Sequence, residues 1–181
     1  FDHILANEAQ RMGVEIRWQM EVIAVNFSDH PKLEVKNASG EIEHFEADFV
    51  LDASGFGRIL PRLLDLESPS GFPIRKALFG HIEDRINNSQ FDRNKIRITV
   101  HPDHKDVWLW LIPFSNGRSS IGVVAETGFY DNWENNKTAL QDIISQDDSL
   151  HALLKNALFD EPINDIVGYS ANVKSLYGKG Y

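Results

Sequence analysis

The chain has no cysteine among its 181 residues. Disulfides, thiolate metal sites and cysteine nucleophiles are excluded together. The absence fits a reducing compartment, and the sequence reads as cytoplasmic. Long apolar runs are missing too. None approaches the ~18 residues a membrane helix needs, and no signal-peptide pattern is visible, so stable membrane insertion is not expected. Basic residues number 18 against 27 acidic ones, a formal net charge of −9. Such a surface repels phosphates unless a local basic patch overrides it. The densest basic stretch, "FDRNKIRITV", dilutes Arg93, Lys95 and Arg97 with apolar neighbours. Nucleic acid is therefore not an expected partner. There is no internal repeat and no low-complexity segment.

What is present suits a folded protein. The composition is 42% hydrophobic and 25% charged, normal for a chain that buries a core, and the length suits one ordinary domain or parts of two. The chain opens at Phe1 directly on a helix pattern and closes on "SLYGKGY" without a tail. The expectation is a slice of something longer.

Periodicity places the elements. Phe1, Ile4, Leu5, Ala9 and Met12 share one helical face, and Gly13 can cap it. "VEIRW" and "EVIAVNF" read as β-branched strands. "KLEVKNASGEIEHFEADFV" reads as a hairpin turning at "NASG". Phe49, Val50 and Leu51 form a continuous apolar run, which predicts a strand buried on both faces. It breaks at Ser54-Gly55-Phe56-Gly57 into a short helix, "RILPRLLDL". "GFP" at 71–73 and "NNSQFDRN" at 87–94 mark loops. "KALFGHIE", "KIRITVH" and the pair "DVWLWLIPF" and "SSIGVVAE" predict an antiparallel sheet. "NKTALQDIISQ" and "SLHALLKNALF" predict helices, and "DIVGYSANVKSLY" one more strand. The class is α+β.

Two of the chain's four tryptophans, Trp108 and Trp110, lie two residues apart in "DVWLWLIPF". Strand side chains alternate faces, so Trp108, Trp110 and Ile112 point one way and Val107, Leu109 and Leu111 the other. Each indole offers roughly 150–250 Å² to bury, on the order of 4–6 kcal/mol gross at about 25 cal/mol per Å². Two on one face predict a flat, stiff wall. It either packs in a core or borders a cavity for a flat ligand. Pro113, which has no N–H, is expected to end the pairing there.

Other polar groups carry less. His101 and His104 in "HPDH" lack a third ligand, so no metal site is expected. Glu83 and Asp84 are adjacent and would point to opposite faces, which argues against paired-carboxylate chemistry. No triad-like arrangement stands out, and no catalytic residue is assigned.

The run Trp108 to Pro113, W-L-W-L-I-P, resembles the W-x-W-x-I-P signature of flavin-dependent halogenases. With Ile121-Gly122 on the following strand, it is also similar to the strand motif of geranylgeranyl reductases. Both belong to the p-hydroxybenzoate-hydroxylase-like FAD enzymes. "ADFVLDASGFGRILPRLL" resembles that group's internal strand-turn segment, with Ala53-Ser54-Gly55 at its centre. "FDHILANEAQRMGVEIRWQMEVIAV" resembles the helix and strand that precede it.

The resemblance implies a partial FAD-binding α/β domain over 1–66, a substrate-side antiparallel sheet with helices over 67–172, and a return toward the FAD-binding part over 173–181. It implies FAD as the cofactor of the parent protein, with Val22, Asp52, Ala53, Ser54 and Gly55 on the cofactor side and Trp108, Trp110, Ile112 and Pro113 on the side of a small-molecule substrate. For the Asp52–Gly55 bend a plain strand-to-helix turn capped by Ser54 fits the residues as well, and Val22 fits an ordinary strand. Arg58 could face phosphate or solvent. The family's Gly-x-Gly-x-x-Gly turn, where helix-end amides meet the pyrophosphate, is missing: Gly55-Phe56-Gly57 is a G-x-G after a different strand. The halogenase lysine would precede Phe1. The expected parent is a halogenase-like, FAD-dependent oxidoreductase acting on an aromatic or apolar molecule. A reductase, dehydrogenase or monooxygenase is the alternative, and a non-catalytic module for a hydrophobic ligand is the alternative of another class. The piece by itself is not expected to turn over.

Overall fold

Turns at Asn37–Gly40 and Asn116–Gly117 join two hairpins of alternating apolar residues in this computed structural model, which describes residues 1–87 and 91–181. The chain forms two units, 1–69 with 172–181 and 70–171.

In the first unit, helix α1 (Asp2–Arg11) leads to strand β1 (Glu21–Asn26). Gly13, at φ +97°, ends the helix turn in a conformation that other residues avoid. β1, β2 (Lys32–Lys36) and β3 (Ile42–Glu46) form an antiparallel sheet in that order. The β2–β3 turn closes on Asn37, whose Oδ1 accepts the N–H groups of Ser39 and Glu41 at 3.0 Å each. β1 carries a bulge between Val22 and Ala24. A short 3₁₀ turn (Gly55–Gly57), helix α2 (Ile59–Leu63) and strand β4 (Glu67–Ser68) follow.

Two strand expectations fail here. "VEIRW" is irregular, with Gln19 at φ +58° breaking its extension into β1. The run Phe49–Leu51 is not a strand buried on both faces: Phe49 is 56% exposed and Leu51 85%. Among the described residues its one backbone partner is the Gly180 carbonyl, which accepts the Val50 N–H at 2.9 Å. Apolar content favours a strand, but only neighbouring strands make one.

The second unit is a five-stranded antiparallel sheet, order β6-β7-β8-β5-β9. Its strands are β5 (Arg75–Glu83), β6 (Arg97–Val100), β7 (Trp108–Pro113), β8 (Arg118–Glu126) and β9 (Asn164–Val167). Helices α3 (Asn136–Ser145) and α4 (Asp148–Leu154) supply Leu140, Ile143 and Leu150 to a core shared with Leu78, Leu109, Leu111, Ile121 and Val123. Asn135 and Asp147 cap the two helices, accepting from Lys137 and Leu150 N–H groups at 2.8 and 2.7 Å. The last predicted strand is two. β9 pairs with β5, Gly168 turns at φ +64°, and β10 (Asn172–Val173) pairs with β4 inside the first unit. The loop expected at 87–94 falls partly on 88–90, outside the described residues.

Candidate functional site

Candidate residues gather at two places, one in each unit.

In the first unit a cavity of about 340 Å³ opens beside the Asp52–Arg58 bend. Asp52, Ser54, Gly55 and Arg58 line one side, Leu60, Pro61 and Leu66 another, and Val173, Ser175, Leu176 and Tyr181 come from the returning segment. Ala53 and Val22 are not among the lining residues; Val22 lies on β1 at the bulge, opposite Val35.

The bend is held by side chains. Asp52 Oδ1 accepts the Ser54 N–H at 2.8 Å, Asp52 Oδ2 accepts the Leu60 N–H at 2.8 Å, and Ser54 Oγ accepts the Ile59 N–H at 3.0 Å. These bonds satisfy amides that the first turn of α2 leaves open. Burial works against ionising Asp52, but the bonds from Ser54 and Leu60 outweigh it and hold the carboxyl below its ordinary value. Both acceptors are thus committed to the turn. Gly55 sits at φ +56° with nothing within 4 Å of where a Cβ would be, so the backbone is open to close approach there. Arg58 takes a left-handed φ of 44° and pairs with Glu67. It is a compensated cation at the rim rather than a solvated surface arginine.

In the second unit the helices cover one face of the sheet, and Val107, Leu109 and Leu111 point into that core. Trp108, Trp110 and Ile112 project from the opposite face, as the alternation predicts. Cross-strand register builds the rest of that face. Trp108 opposes Val100 and Val124, Trp110 opposes Ile98 and Gly122, and Ile112 opposes Ser120; Ala77 and Phe79 extend the rows on β5. The face is apolar and open: Trp108 is 37% exposed, and Ile98 and Val100 are exposed beside it.

The two indoles do not form a flat wall. Their centroids are 5.9 Å apart and the planes meet at 46°. Trp110 leans across Gly122, where a Cβ would fall 2.7 Å from its Cε2 and nearer still to the six-membered ring, and its Nε1–H donates to Ser120 Oγ at 3.1 Å. Phe79 borders the same ring, centroids 6.5 Å apart.

Pro113 does not end the pairing either. It opposes Ser119, and the next residue continues the ladder, Phe114 N–H to Arg118 O at 2.8 Å. The missing N–H of Pro113 faces the β6 side, where the ladder has already stopped at Arg97–Leu111.

The remaining polar candidates serve structure. The imidazole of His101 is buried. Its Nδ1 accepts the N–H groups of Asp103 and His104 at 3.2 and 3.3 Å, so Nε2 carries the proton and donates to Gln146 Oε1 at 3.0 Å. Among the described residues no group of three or more His, Cys, Asp or Glu could hold a metal ion, and no helix is long and apolar enough to cross a membrane. Glu83 pairs with Arg85, while Asp84 is buried on Arg93 and Ser119.

Sequence reasoning missed Ser120 and the cavity residues Val173, Ser175, Leu176 and Tyr181. The first was within reach: the "SNGR" turn fixes the β7–β8 register, and the register puts Ser120 on the face of the tryptophans. The others come from a segment more than 100 positions away in sequence; the resemblance implied a return over 173–181, but no local signal singled out its residues.

No protein-family model matches the chain. A flavoprotein/dehydrogenase from Cytophaga hutchinsonii superposes with a TM-score of 0.86 at 34% identity, over 99% of this chain and 44% of that one. The myxobacterial chondrochloren halogenase CndH, an FAD-dependent halogenase, superposes at 0.81 with 24% identity, over 99% of this chain and 42% of that one. A curated relative, the 1H-pyrrole-2-carbonyl-(peptidyl-carrier protein) chlorinase of Pseudomonas fluorescens, is 26% identical over 202 residues, which span all of this chain and 41% of the chlorinase. The chain thus spans less than half the length of the proteins it matches.

Proposed function

We propose that this chain, which has the fold of part of a flavin-dependent halogenase or flavoprotein dehydrogenase, belongs to an FAD-dependent oxidoreductase that acts on an aromatic or apolar small molecule. The observation that supports this most is the open indole face of the second unit. A sheet that hides Leu109 and Leu111 under helices leaves Trp108, Ile98 and Val100 to water, with Trp110 half-buried among them. Apolar residues in a contiguous exposed patch favour a ligand or partner, and two tilted indoles favour a flat ring, which gains from offset or edge contacts.

The residues fit a cofactor in part. A cavity of about 340 Å³ is at the lower end for a small-molecule site and suits one portion of a dinucleotide. Gly55 offers a backbone without a side chain, and Arg58 and Ser54 offer donors toward an anionic or hydroxylated group. The Asp52 carboxylate is engaged by the turn, so its part is to hold the bend. FAD bound there would supply the redox equivalents. Trp108, Trp110 and Ile112 would bind and orient the substrate ring and exclude water from it.

The halogenase form of the reading draws on the W-x-W-x-I-P run and on the named activities of CndH and the chlorinase. The chlorinase acts, by its name, on a pyrrole carbonyl group held by a carrier protein, and a flat heteroaromatic of that kind suits the indole face. The Cytophaga relative, called a flavoprotein/dehydrogenase, favours a second reading in which the same face holds a substrate for dehydrogenation. Incubating the full-length protein with NADH, a flavin reductase, FAD, oxygen, bromide and a panel of phenol, indole and pyrrole-2-carboxylate separates the two. A halogenase yields bromide-dependent brominated product by mass spectrometry. A dehydrogenase yields none and instead reduces its flavin anaerobically with its substrate. A protein that does neither and binds no FAD contradicts both.

A further inference from the structure

We propose that Ser120 and Gly122 are positioning residues that fix the Trp110 indole and thereby set which ring the open face of the second unit accepts. The inference deepens the reading of that face as a substrate wall and rests on it.

Three observations meet at one ring. Trp110 has a single polar atom, a donor, and it is committed to Ser120 Oγ at 3.1 Å. Gly122, directly opposite Trp110 in the β7–β8 ladder, leaves the space that the six-membered ring fills, and any Cβ there would collide with that ring. Phe79 closes the far edge at 6.5 Å. Ser120 is the diagonal neighbour of Trp110, two residues from its ladder partner, within the reach of a long aromatic side chain. The indole is thereby drawn down and sideways across β8. The same displacement tilts it by 46° from Trp108, which opens a wedge between the two rings. A wall without the hydroxyl would keep the indole but lose this orientation. A wall with alanine at 122 would push it upright into the wedge.

Pocket shape discriminates between ligands only as well as its walls are held, and one methylene of misfit in an apolar site is worth roughly ten- to two-hundredfold in selectivity. The hydroxyl of Ser120 and the bare Cα of Gly122 therefore act as specificity determinants without touching the ligand.

The test uses the full-length protein labelled with 5-fluorotryptophan, the Trp110 resonance being assigned by Trp110→Phe. Wild type should give one sharp resonance. Ser120→Ala should displace or broaden it, and Ser120→Thr, which keeps the hydroxyl, should restore it. In parallel, 2-naphthol and the larger 1-hydroxypyrene are titrated by their own fluorescence. Ser120→Ala should weaken 2-naphthol by about three- to tenfold, as for one lost hydrogen bond, while changing the ratio of the two dissociation constants; Gly122→Ala should change that ratio further. A merely structural role would weaken both probes alike. An unchanged resonance and an unchanged ratio in Ser120→Ala overturn the proposal. A Trp110 resonance that responds to Ser120→Ala in a wild type that binds neither probe overturns the substrate-wall reading, and the specificity role with it.

Discussion

The guanidinium of Arg93 grips the buried carboxylate of Asp84 on both oxygens, Nη1 to Oδ1 at 2.9 Å and Nη2 to Oδ2 at 3.0 Å. Asp84 also accepts the Ile86 N–H at 3.1 Å and the Ser119 hydroxyl at 2.5 Å, and Arg93 reaches on to the Phe114 carbonyl at 3.0 Å. One ion pair thus ties β5 to the β7–β8 hairpin that presents the tryptophans. Arg93→Ala leaves a buried carboxylate without its counter-charge. A loss of about 2–4 kcal/mol is expected, toward the lower side for a broken buried pair because the Arg93 side chain is 34% exposed. Urea denaturation of the full-length protein measures it as a lower midpoint at constant slope. Arg93→Lys should rescue little, since a point charge cannot replace the two-pronged fork.

Acid should act through the same pair. Burial by itself would raise the pKa of Asp84, but the bonds from Arg93, Ser119 and Ile86 outweigh it and hold it below the ordinary carboxylate value. A carboxyl whose pKa is lowered on folding stabilises the protein above its unfolded pKa, and the contribution is lost as pH falls through the folded one. Wild-type stability should therefore begin to drop below about pH 5 and go on falling as the pH passes through the lowered folded value, and Asp84→Asn should flatten that drop while starting from lower stability at neutral pH. Equal pH slopes in the two proteins would contradict the assignment.

Asp52 should show its role locally. Asp52→Ala removes the acceptors for the Ser54 and Leu60 N–H groups, and the loss of such a cap costs about 0.5–2 kcal/mol. Hydrogen exchange at the Leu60 amide should accelerate while amides of the second unit keep their protection. Unchanged exchange at Leu60 would mean that the carboxylate is not holding the turn.

Alternation on β7 gives a paired prediction. Leu109→Ala empties a core position, with about 2–5 kcal/mol of stability lost. Trp108→Ala, one residue away on the open face, should cost clearly less stability and more substrate binding. On the proposed function, Trp110→Ala should likewise lower turnover of the full-length protein more than its melting temperature. Melting curves and saturation kinetics on the three variants check this; equal falls in both quantities for Trp110→Ala would make it a plain core residue.

How much was legible in the sequence depended on what each element needs from elsewhere. The hairpin at Asn37–Gly40, the β7–β8 pair around Asn116–Gly117 and helix α3 are written in local period and turn chemistry, and they form where read; α4 stops at Leu154, short of the expected Phe159, and Leu158 instead bridges to Glu83. The α+β class and the opposite sides of Trp108 and Leu109 follow from the same rules; which of the two sides stays open does not, because the whole strand is apolar. "VEIRW" and Phe49–Leu51 read as strands by composition and are not, because a strand is completed by its neighbours. Gly168, one residue in a run that otherwise alternates well, sends the chain from β9 to β10. At the bend, local chemistry displayed Asp52, Ser54 and Gly55 but not the residues 173–181 that close the cavity. The tilt of the indoles is a tertiary fact, set by a glycine and a serine on the next strand.

FAD binding is the central claim, and calorimetric titration of FAD into the full-length, flavin-stripped protein tests it most directly. Saturable binding of one FAD per chain is expected, weakened by substitution of Gly55 with a bulky residue and accompanied by a change in flavin visible absorbance. No binding of FAD to a protein that is demonstrably folded would contradict it.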